Sequence, residues 1–244
     1  MEDDIKEPFL HYKEDEDDND IENEIAQKIR NGFIVKVYGI LLYQLAITSL
    51  IIFFGLTFPS FKKLLLESYF LYFLSIILSI ICLLLPICSP NIFQKVPSNY
   101  IVLTVFTLSY SWYVASITCI YSFESVMVSL FLTFVTLMSL TIYAIKTKED
   151  FSIRGGNFFA FLNLLIFSLI VYIFFRIPFL LLLIQSLSLI LLSTYIIYDT
   201  QLIVGNKDRK FKEDDYILAT MTIYLDVILL VLQLLSCFGN TKSN

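Results

Sequence analysis

Seven apolar segments dominate this sequence, and each is long enough to cross a lipid bilayer. A membrane-spanning helix needs about 20 consecutive apolar residues. The segments that reach this length cover 33–58, 64–88, 99–121, 124–145, 156–175, 178–203 and 216–238. They are continuous, whereas the strands of a membrane barrel alternate apolar and polar residues over about 10 positions. The sequence therefore predicts an all-α, polytopic membrane protein with seven transmembrane helices.

Composition supports this class, because 57% of the 244 residues are hydrophobic. A soluble enzyme, a coiled coil and a disulfide-stapled secreted domain are excluded, since no soluble core of this size holds so much apolar surface. The four cysteines lie in or at the ends of apolar segments without metal-ligand spacing, and His11 is the single histidine. A zinc site and a His-based catalytic triad within one chain are therefore not expected. We expect no cofactor.

Charge is distributed unevenly along the chain. Residues 1–24 carry twelve acids and two lysines, a net charge of −10. Because the whole chain has a net charge of −5, the other 220 residues have a net charge of +5. A segment with so few apolar residues does not offset the entropy of ordering. We therefore predict an acidic, disordered tail at 1–28, a transmembrane domain at 29–239 and a short C-terminus at 240–244. No basic cluster alternates with aromatics outside the spans, so nucleic acid is not an expected partner.

The distribution of Lys and Arg predicts the orientation, since these residues are retained on the cytosolic side. With a cytosolic N-terminus, thirteen of the seventeen basic residues fall on the cytosolic side and four on the other. The acidic tail is therefore expected in the cytosol and the C-terminus in a lumen or outside the cell. Seven-helix receptors, whose N-terminus is outside, have the opposite topology.

Two aspartates lie inside predicted spans, where a charge at a helix centre costs at least about 2.5 to 3.5 kcal/mol. Asp226 lies ten residues into the seventh span, and Asp199 lies near the end of the sixth. The two spans form a hairpin that turns near residue 211, which is 12 positions after Asp199 and 15 before Asp226. At 1.5 Å per residue their levels differ by roughly 4.5 Å. If the helix faces agree, the two carboxyl groups lie close together.

Such a pair suits a proton sensor, because two carboxylates in a low-dielectric site cannot both ionise cheaply and tend to share one proton. When both are ionised, Asp199 and Asp226 also offer the oxygen ligands that calcium prefers, for transient binding. The alternative is that each aspartate separately bonds a tyrosine, threonine or backbone group of a neighbouring helix. Asp214 and Asp215 open the seventh helix, where they either cap its positive end or form a cytosolic latch or pore element over the pair.

Motifs around these residues resemble a known family. The segment Tyr-Ile-Ile-Tyr-Asp-Thr-Gln at 195–201, and Asp-Asp-Tyr-Ile-Leu-Ala at 214–219 leading to Ile-Tyr-Leu-Asp-Val-Ile at 223–228, resemble the signature of the Bax inhibitor and lifeguard membrane family. Stretches within 29–45, 97–108 and 147–151 agree in the same order. The compact loop and Lys-Glu-Asp-Phe-Ser at 148–152 are most similar to the Golgi anti-apoptotic protein branch.

The resemblance implies two three-helix layers around a central seventh helix. It also implies a proton-sensitive calcium leak channel of Golgi or endoplasmic reticulum membranes that lowers store calcium and inhibits apoptosis. The family's paired aspartates correspond to Asp199 and Asp226. Membrane lipid and calcium ions are the implied partners, together with calcium-release channels or death regulators. The chain departs from the family in having no arginine within 64–88, and Asp214 and Asp215 where glutamate is usual.

Two other classes of function are distinguishable from a leak. An intramembrane aspartyl protease needs two carboxylates beside an activated water, and such proteases share a Gly-x-Gly-Asp motif and a later Pro-Ala-Leu. In this chain the segment that ends at Asp226 is Ile-Tyr-Leu-Asp, without glycine, and no proline follows Pro178. We therefore do not expect an enzyme. A non-conducting adaptor that binds calcium channels or death regulators stays open. Replacing Asp199 or Asp226 with asparagine alters calcium flux in a leak channel and not in an adaptor.

Overall fold

The structure, a computed structural model, describes residues 3–89, 91–147, 149, 151, 155–205 and 211–241. For residues 3–20, 23 and 155–162 it describes the backbone only. The helices in this part of the chain are α1 (Asp3–Thr57), α2 (Pro59–Glu67), α3 (Tyr69–Cys88), α4 (Asn91–Gln94), α5 (Ser98–Thr118), α6 (Phe123–Lys146), α7 (Gly155–Phe175), α8 (Pro178–Val204) and α9 (Tyr216–Phe238). A 3-10 turn at Glu213–Asp215 leads directly into α9.

The predicted all-α, polytopic membrane fold is confirmed. Among the described residues, six helical stretches are apolar and long enough to cross a bilayer, and they belong to α1, α3, α5, α6, α8 and α9. The predicted fifth span corresponds to α7, whose described side chains form the apolar stretch Asn163–Phe175. The predicted second span is divided, because the helix is interrupted at Ser68 between α2 and α3.

Helix α9 lies at the centre of the bundle. It packs against α1 and α5 on one side and against α6 and α8 on the other, while α3 packs on α5 and α7 packs on α8. In the apolar part of α9, 67% of the residues are buried, compared with 17% in α3 and in α8. The two three-helix layers implied by the resemblance are therefore present, with α9 between them.

The acidic N-terminal segment, for which disorder is predicted, belongs to helix α1, which begins at Asp3 and continues to Thr57. Within it, Lys28 pairs with Glu24 one turn away at 2.8 Å. The side chains described between Ile21 and Ile29 are exposed. Their exposure shows that this part of α1 projects beyond the bundle, and a separate tail ending at residue 28 stays a prediction.

The segment after α9 is attached to the connection between α5 and α6. The amide of Ser122 donates to the carbonyl oxygen of Asn240 at 3.0 Å, and the amide of Asn240 donates to Ser125 Oγ at 2.9 Å. Because Ser122 is also the N-cap of α6, these bonds join the ends of α6 and α9. The boundary between the transmembrane domain and the C-terminus, placed at residue 240 from the sequence, stays a prediction.

Buried polar side chains join α1, α5 and α9 deep in the bundle. Tyr224 of α9 is fully buried, and its hydroxyl lies 2.8 Å from Thr48 Oγ1 of α1. Thr48 Oγ1 in turn lies 2.8 Å from Ser111 Oγ of α5, and Gln44 Nε2 donates to Thr107 Oγ1 at 2.8 Å. Hydrogen bonds of this kind hold membrane helices together where there is no hydrophobic driving force between them.

Replacing Tyr224 with phenylalanine is expected to lower the free energy of unfolding by about 1 kcal/mol, because interhelical hydrogen bonds in membranes contribute about 0.6 to 1.7 kcal/mol. The ring keeps its packing against Phe106 and Tyr110. Unfolding by sodium dodecyl sulfate in mixed micelles, followed by circular dichroism, measures the change. Tyr43→Phe is the control, because Tyr43 is exposed on the same helix as Thr48. Equal effects of the two substitutions would contradict the assignment.

Candidate functional site

Asp199 and Asp226 meet at the interface of α8 and α9. Asp199 lies in the penultimate turn of α8 and Asp226 near the middle of α9, and both are buried, with 8% and 7% of their surfaces exposed. Their carboxyl groups lie close enough to interact with each other. Asp226 Oδ2 is buried and has no hydrogen-bond partner among the described residues. The structure thus brings together the two residues that their depths in the sequence place side by side.

The contact between the two carboxyl groups has a chemical requirement. A carboxylate has no hydrogen to donate, so two carboxyl groups form a hydrogen bond only if one of them carries a proton. Over the residues with described side chains, the ion pairs are Lys28–Glu24 and Lys63–Glu67, both exposed. Neither aspartate is neutralised by a basic group in that part of the chain. The arrangement is therefore suited to holding one proton between two acids.

An apolar layer lies next to the pair, on the side away from the α8–α9 loop. It consists of Ile196, Leu230 and Leu234, and we call it the leucine layer. Ile196 lies one turn before Asp199, and Leu230 lies one turn after Asp226. The side chains that surround it come from α6 and α8, and they are Leu132, Leu137, Leu140, Leu189 and Leu192. Water is disfavoured at this level of the bundle.

Polar groups return toward the far end of α8 and α9, beyond Ile196 and Leu230. Gln233 Nε2 donates to the carbonyl oxygen of Gln185 at 3.3 Å, and Gln185 Nε2 lies 3.4 Å from both the carbonyl oxygen and Oγ of Ser236. The α8–α9 interface therefore has two polar levels, the aspartate pair and this glutamine cluster, and Ile196 and Leu230 of the leucine layer lie between them.

Asp214 and Asp215 do not join the aspartate pair. Asp214 is exposed, and Asp215 is half-buried at the start of α9, eleven residues or about 16 Å along the helix axis from Asp226. The side chain of Asp215 does not cap α9, because its Oδ1 accepts a hydrogen bond from Gln94 Nε2 at 3.0 Å. The role of a latch or pore element for these two residues stays a prediction.

A stable metal site would need more ligands than the pair supplies. Calcium takes six to eight oxygen ligands, and the described residues contain no group of three or more His, Cys, Asp or Glu side chains arranged to hold a metal. Two carboxyl groups are compatible with transient contact with a passing ion. Transient calcium binding at Asp199 and Asp226 stays a prediction.

The sequence motifs do not point to the contacts at the end of α8. Arg30 of α1 donates hydrogen bonds to three backbone carbonyl groups there. Gln201 Nε2 donates to the carbonyl oxygen of Glu149 at 3.0 Å, and the amide of Phe151 donates to Gln201 Oε1 at 3.2 Å. An arginine at the start of an apolar span is the available signal for such a role, but its backbone acceptors have no signature in the sequence.

Comparisons with known proteins agree with the fold. The family model described as "Inhibitor of apoptosis-promoting Bax1" matches residues 30–243. Protein lifeguard 3 of Mus musculus is 30% identical over 218 residues, which are 88% of this chain and 71% of the mouse protein. Protein lifeguard 3 of Homo sapiens is 29% identical over 218 residues, 88% of this chain and 70% of the human protein.

A viral protein is similar over most of both chains. The Golgi anti-apoptotic protein of Vaccinia virus (strain Lister) is 33% identical over 207 residues, which are 85% of this chain and 84% of the viral protein. These matches confirm the resemblance drawn from the motifs at 195–201, 214–219 and 223–228, including the similarity to the Golgi anti-apoptotic branch. This multi-pass membrane protein belongs to the Bax inhibitor and lifeguard family of anti-apoptotic membrane proteins.

Proposed function

We propose that this protein is a proton-sensitive calcium leak channel of Golgi or endoplasmic reticulum membranes, which lowers store calcium and thereby inhibits apoptosis. The observation that carries the proposal is the buried contact between Asp199 and Asp226. The Golgi location is supported by the name of the viral relative. The excess of Lys and Arg in alternate loops supports a cytosolic N-terminus and a lumenal C-terminus.

The pair links a proton to the packing of α8 against α9. While one proton is shared, the carboxyl groups attract each other through a hydrogen bond. When that proton leaves, two negative charges face each other in a site of low dielectric constant, where their repulsion is strong. The repulsion is relieved if the helices separate or if a cation approaches. Raising the pH is therefore expected to favour the conducting state.

Calcium is the cation that this chemistry favours. Carboxylate oxygens are hard ligands of the kind that calcium prefers, and a site with two carboxylates and few other ligands binds weakly enough to release the ion again. Conduction requires that an ion enter a site and also leave it. We expect lipid to surround the outer helices, and calcium-release channels or death regulators to be partners of the assembled protein.

Catalysis is not part of the proposal. In Ile-Tyr-Leu-Asp at 223–226, the two glycine positions of the Gly-x-Gly-Asp motif hold Ile223, which is buried, and Leu225, which packs against the core. The glycine-containing motif of aspartyl proteases lets a peptide backbone approach the acid, and this segment is instead filled by packed side chains. A non-enzymatic protein is therefore the proposed class.

Calcium efflux from proteoliposomes tests the proposal. The purified chain is reconstituted with calcium inside, and efflux is measured with the same pH on both sides, from pH 6 to 8. We expect efflux to rise with pH, and the Asp199→Asn and Asp226→Asn variants to lose most of that dependence, because an amide cannot ionise. Glu124→Gln is the control, since it makes the same chemical change at an exposed site in the first turn of α6.

Two results would contradict the proposal. Efflux no greater than from empty liposomes, with protein shown to be folded, would exclude the leak and favour the non-conducting adaptor. Efflux that responds to pH equally in the unsubstituted chain and in both asparagine variants would exclude the aspartate pair as the proton sensor.

A further inference from the structure

The last turn of α8 is held by hydrogen bonds from other segments of the chain. The final carbonyl groups of a helix have no partners within the helix, and here several are bound by the rest of the protein. The carbonyl oxygen of Leu202 accepts from Arg30 Nη2 and from the amide of Phe211. The carbonyl oxygen of Val204 accepts from Arg30 Nε at 3.2 Å, and that of Phe211 accepts from Arg30 Nη1 at 2.7 Å.

Arg30 is specifically suited to this position. It is buried, with 9% of its surface exposed, and its guanidinium lies over the ring of Phe33 at 4.5 Å. The rigid planar guanidinium directs several donors at once, which a lysine ammonium cannot do. The negative end of the α8 dipole favours a cation here, and the carboxylate of Glu213 adds electrostatic attraction.

Gln201 joins the same turn to another segment. It is buried, and its amide is bonded to the backbone of Glu149 and Phe151 in the α6–α7 connection. The last turn of α8 is therefore held to α1 by Arg30 and to the α6–α7 connection by Gln201. Asp199 lies two residues before Gln201 and three before Leu202, so its place depends on the same turn.

We propose that Arg30 is a positioning residue for Asp199: by binding the carbonyl groups of Leu202, Val204 and Phe211, it holds the last turn of α8 against α1 and keeps Asp199 in contact with Asp226. Loss of the guanidinium frees this turn, and the contact between the two aspartates loosens. The inference rests on the proposed function only where it concerns calcium flux, because the positioning itself is measurable without conduction.

Hydrogen exchange of the full chain in nanodiscs measures the turn directly. In Arg30→Ala, amides within 199–212 are expected to exchange about tenfold faster or more, since a lost hydrogen bond to a charged group changes a local opening equilibrium by at least that factor. These include the amides of Gly205 and Phe211, which bond the carbonyl oxygens of Gln201 and Leu202. Arg30→Lys keeps the charge but not the fork of donors, so an intermediate rate is expected.

Labelling of carboxyl groups with a carbodiimide reports on Asp199 itself. We expect Asp199 to react faster in Arg30→Ala than in the unsubstituted chain, because the freed turn exposes its carboxyl group. Lys28→Ala is the matched control for both measurements, since Lys28 is an exposed cation on the same helix, paired with Glu24. It should change neither the exchange within 199–212 nor the labelling of Asp199.

The results that overturn the inference are distinct from failure of the leak. Unchanged exchange within 199–212 in Arg30→Ala would show that the guanidinium does not hold the turn. Exchange that rises alike in α3, α5 and α8 would show a general loss of stability instead of local positioning. Faster exchange without faster labelling of Asp199 would show that Arg30 holds the turn but does not position Asp199. Absence of calcium efflux from the unsubstituted chain would contradict the proposed function and leave these three readings intact.

Discussion

Replacing Gly205 with alanine is expected to lower the free energy of unfolding by about 2 to 4 kcal/mol. Gly205 follows α8 with φ of +75°, a left-handed conformation that costs a residue with a Cβ atom about 1 to 2 kcal/mol. A Cβ atom there would also lie 2.5 Å from Arg30 Nε and 2.8 Å from Arg30 Cζ. The guanidinium cannot move aside without losing bonds to carbonyl groups, and a hydrogen bond to a charged group contributes about 1.5 to 3 kcal/mol.

A second glycine supplies a control of opposite sign. A Cβ atom added to Gly39 meets no atom within 4 Å, and Gly39 lies within α1. Because alanine favours a helix interior over glycine by about 0.5 to 1 kcal/mol, Gly39→Ala is expected to stabilise the protein slightly. Denaturant unfolding of both variants in mixed micelles measures the difference. If Gly205→Ala unfolds at the same denaturant concentration as the parent, the close approach of Arg30 contributes nothing to stability.

The sequence is informative where structure depends on local regularity. Apolar runs predict the spanning helices because a bilayer requires continuous apolar length. The depth argument for Asp199 and Asp226 uses only the helical rise and one short hairpin, and the structure places these residues in contact. The break at Ser68 escapes such reasoning, since Leu64, Leu65 and Leu66 continue the apolar run through the amphipathic helix α2.

Contacts between distant segments are beyond the same reasoning. Arg30 and its acceptors are separated by 172 to 181 residues, and any backbone carbonyl can serve as an acceptor whatever its side chain. The partner of Arg30 is therefore determined by how α1 docks on the α8–α9 hairpin. The same holds for the bond between Gln94 and Asp215, which the capping preference of an aspartate at a helix start does not anticipate.

Replacing Leu230 with serine is expected to raise calcium efflux from proteoliposomes about tenfold, equivalent to a barrier lower by about 1.4 kcal/mol. Within the leucine layer, Ile196 and Leu230 lie between the aspartate pair and the glutamine cluster toward the far end of α8 and α9. An ion that crosses the protein along this interface must pass a level where water is disfavoured, and such constrictions limit conduction. Serine removes most of the apolar volume of Leu230 and adds a hydroxyl group that binds water.

Leu229→Ser is the matched control, because Leu229 is the neighbouring residue and is 43% exposed, whereas Leu230 is 1% exposed. Both variants lose the same apolar side chain, so a difference in efflux between them reflects position in the bundle. Efflux is compared at equal amounts of folded protein, since loss of a buried leucine destabilises by about 2 to 5 kcal/mol. Unchanged efflux in Leu230→Ser would show that ions do not cross the leucine layer.

The double variant Leu230→Ser with Asp226→Asn separates the barrier from the proton sensor. If the two elements act in series, Leu230→Ser alone has high efflux that still rises with pH, because the aspartate pair is intact. The double variant should then have high efflux that no longer depends on pH. Efflux that loses its pH dependence in Leu230→Ser alone would mean that the leucine layer and the pair move as one unit. That outcome is physically reasonable only if packing of Leu230 one turn from Asp226 determines whether the two carboxyl groups meet.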